Sequence, residues 1–213
     1  MRRTVQAELL DSLPVDHPAA VHSRRDLRLI NRITGNHRWI LGTLPGQLRP
    51  GESVLEIGAG TGELGRHLQR AGVPLDGLDL WPRPAAWPPN RSWHQSDLLS
   101  FTGFENYAAL CGNLIFHHFS DAVLASLGRR LPPSIRIVVA CEPARRRFYQ
   151  VLFRILGPLG GANYVTRHDA HASIAAGFRG AELPLALGLT PAAWDLHCHT
   201  TALGILRLVA IRR

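Results

Sequence analysis

The sequence contains no lysine, so all 24 side chains counted as Lys or Arg are arginine. Such exclusive usage reads as codon bias as much as selected chemistry. The net charge of +8 is therefore a poor argument for a nucleic-acid partner. The arginines fall in small scattered groups: Arg2-Arg3, Arg24-Arg25, Arg129-Arg130, Arg145 to Arg147 and Arg212-Arg213. No run of five or more like charges occurs. Cysteine is also scarce. Cys111, Cys141 and Cys198 are odd in number and form no C-x-x-C, which argues against a disulfide framework and fits a reducing cytoplasm. No apolar run approaches the ~18 residues that span a bilayer. The opening stretch, MRRTVQAELLDSLPVD, has an Arg pair followed by acids, without the apolar segment of a signal peptide. Internal repeats and long low-complexity segments are missing too.

What is present suits one globular domain over residues 1–213, with 46% hydrophobic and 19% charged residues. Residues 1–46 read as a helical arm, its first 22 residues loose or only briefly helical. Ser23 and Asp26 match the S-x-x-D capping box. Apolar residues then recur at Leu27, Ile30, Ile33, Ile40, Leu41 and Leu44, near the 3.6 period of one helix ended by Pro45-Gly46. Residues 50–143 alternate strand and helix. The predicted strands are SVLEIG, VPLDGLDL, SWHQSDLL, NYAALCGNLIF and SIRIVVACEP. Residues 144–190 read as helical, and 191–213 as a hairpin. The expected architecture is α/β, a mostly parallel seven-stranded sheet with helices on both faces and a C-terminal antiparallel hairpin.

The segment VLEIGAGTGELG sits where the first strand meets the first helix. Gly58, Gly60 and Gly62 allow a tight turn and close approach of a ligand. The following helix offers free N–H groups to an anion. A dinucleotide site wants a glycine at position 63, where this chain has Glu63. The remaining pattern, E-x-G-x-G-x-G, resembles motif I of class I S-adenosylmethionine (SAM)-dependent methyltransferases, and the resemblance implies a Rossmann-like methyltransferase sheet. It also implies that Glu56, Gly58, Ala59 and Gly60 line the cofactor turn. Asp79 with Leu80 would meet the ribose, Asp97 and Leu98 the adenine, and Asn113 the closing end of the pocket. Two departures stand out. The fourth strand lacks the aspartate common at its start, and the proline-rich PRPAAWPPN replaces a helix.

After the fourth strand comes NLIFHHFSD. It is similar to the hydrophobic-H-D-W-S-D segment of plant small-molecule O-methyltransferases, whose histidine is the general base. His117 falls on that histidine and His118 on the following acid. An imidazole with a pKa near 6.5 suits this task. In relatives that methylate carbon or nitrogen, such histidines shape the pocket instead. The flank INRITGNHRWI is similar to that of ubiquinone-pathway O-methyltransferases, which would set Arg38 on the cofactor carboxylate. A solvated helix arginine is the alternative. FRILGPLGGANYVTRHDAHASI, with His168 and Asp169, resembles the acceptor lid of the same enzymes. An apolar helix led by arginines would also suit peripheral contact with lipid, the alternative being a crossover helix packed in the core. HCH at 197–199 has two histidines on one strand face but no partner cluster, so no metal is expected. The reading is a SAM-dependent methyltransferase acting on a small aromatic, quinone-like, polyketide or lipid-like acceptor, with O-methylation expected and no DNA partner. An RNA methyltransferase and a non-catalytic partner subunit of the same fold are the alternatives.

Overall fold

The computed structural model describes residues 1–213. Seven strands form one sheet in the order β3-β2-β1-β4-β5-β7-β6. They are β1 Val54–Ile57, β2 Leu75–Asp79, β3 Trp93–Gln95, β4 Ala109–Asn113, β5 Ile137–Pro143, β6 Trp194–Thr200 and β7 Ile205–Arg212. β1 to β5 pair in parallel, and β7 runs antiparallel to both neighbours, β5 and β6. The mostly parallel sheet and the terminal hairpin are as the alternation predicts.

Burial explains the order. All four residues of β1 and all seven of β5 are buried, as a strand covered on both faces requires. Successive residues serve two different cores. Leu55, Ile57, Leu110 and Val138 join Leu124, Phe178 and Leu183 on one face. Val54, Ala109 and Val139 join Ile40, Leu44, Leu64 and Leu68 on the other. Each buried leucine stabilises the fold by roughly 1.5–3 kcal/mol relative to exposure. β6 has only its first residue fully buried and forms the edge.

The helices are α1 Leu9–Ser12, α2 Pro18–Thr34, α3 Asn36–Thr43, α4 Glu63–Arg70, α5 Asp121–Arg130, α6 Arg147–Leu159, α7 Tyr164–Ala176 and α8 Glu182–Ala186. Several differ from the sequence reading. The helix expected to run unbroken to Leu44 divides at Gly35, a left-handed residue at φ 68°. Ser23 and Asp26 do not cap it, since α2 starts at Pro18 behind His17. Both are buried: the Asp26 carboxylate accepts the Thr166 hydroxyl of α7 at 2.7 Å, and the Ser23 hydroxyl lies 3.1 Å from the same oxygen. The third strand is only three residues, and Asp97 lies in the turn beyond it. Trp87 of the proline-rich segment is buried in the core beside Leu64 and Leu75.

α5 meets α8 through Gly128. A Cβ there would stand 1.7 Å from the carbonyl oxygen of Leu187. Backbone cannot yield as a side chain can, so Gly128→Ala is expected to cost about 1–3 kcal/mol. Calorimetry should show a midpoint lowered by a few degrees; an unchanged midpoint would refute this packing.

Many arginines serve the fold. Arg3, Arg130, Arg145, Arg207 and Arg212 each donate to backbone carbonyls, and Arg136 pairs with Glu52. A guanidinium has five fixed donors and satisfies several acceptors at once. No helix is long and apolar enough to cross a membrane.

Candidate functional site

The parallel register brings the carboxyl ends of β1, β4 and β5 into line: Ile57 pairs with Gly112, and Gly112 with Ala140. Beyond β1 the chain turns through Gly58 and Gly60, at φ 63° and 52°. At Gly58 a Cβ would come within 2.5 Å of Ile115, so only glycine lets the two loops touch. At Gly60 a Cβ would meet nothing nearer than 3.9 Å, which leaves that side of the turn open.

Asp79 closes the turn from the end of β2. Its Oδ2 accepts the Gly60 N–H at 2.7 Å, and its Oδ1 the Trp81 N–H at 2.9 Å. Each oxygen keeps a further lone pair. Glu56 lies beneath, buried, with Oε2 lacking any hydrogen-bond partner. Burial, then the charge of Asp79, pushes its carboxyl up to about 8. Ala59 is buried and Leu80 is exposed. Asp97 is exposed and accepts the Leu99 N–H at 2.6 Å, with Leu98 buried beside it.

Asn113 ends β4 inside a polar cluster that sequence reading missed. It accepts from Asn36 at 3.1 Å, donates to Asn31 at 3.1 Å and lies 3.4 Å from the His37 ring. Burial holds His37 below the ordinary imidazole range. Arg38, one residue on, is exposed and its side chain makes no hydrogen bond within the protein; its neighbour His37 is the residue turned toward β4.

Leu114, the one non-glycine residue at positive φ (58°), leads into the turn Phe116–His118. Glu142 of β5 is wholly buried and organises this turn. Its Oε1 accepts the N–H groups of Ile115 and Phe116 at 2.9 and 2.8 Å. Its Oε2 accepts the His117 N–H at 3.1 Å and faces His117 Nδ1 at 2.7 Å. On the other side of the ring, Nε2 lies 3.3 Å from Glu8 of the arm. Burial alone would lower the His117 pKa, but the charge and hydrogen bond of Glu142, joined by Glu8, outweigh it and raise it to about 9. Both ring nitrogens of His117 are thus engaged by carboxylates, an arrangement that favours the protonated ring. A general base needs a free lone pair within reach of its substrate, and in this arrangement His117 has none.

His118 is more open. Its ring lies 4.4 Å from that of His117, and its nitrogens face Asp11 at 3.5 Å and Glu8 at 3.9 Å. The arm is held at further points. Arg3 donates to Asp121 and to the Phe119 carbonyl, each at 2.7 Å. Asp169 accepts the N–H groups of Leu9 and Leu10 at 2.8 and 3.0 Å. The His168-Asp169 pair thus anchors the start of α1. His197 and His199 are exposed on β6, away from these groups.

No protein-family model and no curated protein sequence matches the chain. Solved structures do. The plantazolicin methyltransferase BpumL, in complex with a pentazolic desmethyl analogue and SAH, aligns with TM-score 0.71 at 11% identity, over 96% of this chain and 93% of that one. Human N-acetylserotonin methyltransferase in complex with SAM aligns with TM-score 0.60 at 12% identity, over 95% and 61%. Magnesium protoporphyrin IX methyltransferase from Synechocystis PCC 6803 with bound SAM gives 0.52 at 17%, over 90% and 84%. Strand order, hairpin and glycine turn, together with these matches, show that the chain has the Rossmann-like methyltransferase fold.

Proposed function

We propose that the chain transfers a methyl group from SAM to a small acceptor. The observation that carries this reading is the Asp79–Gly60 closure beside the unpartnered Glu56 carboxyl, at adjoining strand ends. Ligands of open α/β sheets bind at such ends. The residues fit the cofactor. The spare lone pairs of Asp79 suit a ribose diol. The orphan oxygen of Glu56 suits an ammonium donor, and a nearby cation would favour its ionised form. Asp97 and Leu98 suit an adenine edge and face. When bound, SAM would supply an electrophilic methyl on a sulfonium. The protein's part is then to orient the acceptor, exclude water and manage its proton.

The finer reading is O-methylation, with FHHFSD on the acceptor side. His117 acts there as a positioning residue, because its nitrogens are engaged. Three of the structural neighbours are named for small acceptors, a plantazolicin analogue, magnesium protoporphyrin IX and N-acetylserotonin, which supports a small molecule over RNA. Calorimetric titration should show one equivalent of SAM or SAH bound per chain; no binding of either would end the cofactor reading. Incubation with methyl-labelled SAM should then label phenolic or quinol acceptors. Label entering RNA instead would overturn the small-acceptor assignment.

A further inference from the structure

We propose that Glu8, His117 and His118 form a binding site for a divalent transition-metal cation, with Zn2+ the best match, that ties the arm to the turn after β4. The ligating atoms of all three residues lie within 4.8 Å of one another. His117 Nε2 is 3.3 Å from Glu8 Oε1, and His118 Nε2 is 3.9 Å from Glu8 Oε2. Ligands bound at 2.0–2.2 Å in a tetrahedron stand roughly 3.3 Å apart. Small side-chain adjustments therefore suffice to seat an ion, which takes the place of the proton between His117 Nε2 and Glu8 and releases it to solvent.

The surrounding groups point the same way. Both Nε2 atoms converge on one carboxylate, while each Nδ1 faces another: Glu142 at 2.7 Å for His117 and Asp11 at 3.5 Å for His118. Metal-bound histidines are oriented in this manner, the second nitrogen donating to a carboxylate that fixes the tautomer and raises ligand basicity. Glu8 is itself held by the Ser173 hydroxyl. The charge also suits a dication. Glu8, Asp11 and Glu142 bring three carboxylates around the two imidazoles, with Arg3 as the nearby permanent cation. Two imidazoles and one carboxylate select a borderline ion over Mg2+ or Ca2+, which prefer oxygen sets. Three protein ligands leave a position for water or an acceptor oxygen.

The site is independent of the glycine turn, so its test is separate from SAM binding. Chelator-treated protein is titrated with Zn2+ by calorimetry and with Co2+ by visible spectroscopy. Wild type is expected to bind one equivalent of Zn2+, with a raised thermal midpoint, and to show the d–d bands of four-coordinate Co2+. Glu8→Gln keeps a partner for Ser173, and His118→Asn lies at the more exposed ligand; both should stay folded by circular dichroism and lose stoichiometric binding. Retained binding in both, or none in wild type, would overturn the proposal. A His197→Asn, His199→Asn double variant should bind normally; loss there would move the ion to β6 and refute the site.

Discussion

Glu142→Gln is expected to destabilise the protein by about 3–5 kcal/mol, the scale for breaking a buried ionic pair by removing one charge. Glu142 accepts three backbone N–H groups and faces the His117 ring, with no exposure to water. A carboxamide has the same shape but only one accepting oxygen. Its NH2 must face either Ile115 and Phe116 or the two donors of His117. The His117 ring also loses its nearest negative charge. For a chain of this size the thermal midpoint should fall by on the order of 10 °C. Differential scanning calorimetry in one buffer measures it. A shift within a degree or two would mean that the turn at 115–117 is not held by this carboxylate.

Asp79→Ala is expected to weaken SAM binding by roughly 10- to 100-fold. Hydrogen bonds to a charged group contribute about 1.5–3 kcal/mol each, and 1.4 kcal/mol is tenfold in affinity. Part of the loss is indirect, because the Gly60 and Trp81 N–H groups lose the acceptor that holds the turn. Asp79→Asn separates the two contributions. It retains one accepting oxygen and no charge, so it should fall between wild type and alanine. Equal affinity across the three proteins would remove Asp79 from the cofactor site.

The parts legible in sequence were those whose residues lie close together in it. The glycine turn, the acid at the end of β2 and each strand of the sheet occupy a short window. The break at Gly35 was hidden because Ile33 and Ile40 keep helical spacing across it, although Ile33 is 60% exposed. Ser23 and Asp26 misled for a chemical reason. The acceptors that cap a helix serve equally well to bind Thr166 from inside one. The environment of His117 was beyond reach. Glu8 stands 109 positions before it and Glu142 25 after, and neither carries a local pattern. The sequence supplied the imidazole; the fold supplied the carboxylates that change its chemistry.

The arm also fixes an order of events in folding. Its contacts join residues far apart in the chain: Arg3 to Ala176 across 173 positions, Leu9 to Asp169 across 160. Closing loops of that length gains nothing until β5 and α7 are in place to receive the arm. The arm is therefore expected to dock last and open first. Leu9 and Leu10 amides should exchange with solvent through local opening, well ahead of the central strands. Glu8 reaches His117 only through this closing step, so a sheet held intact with the cluster still open to water is the state such exchange would report.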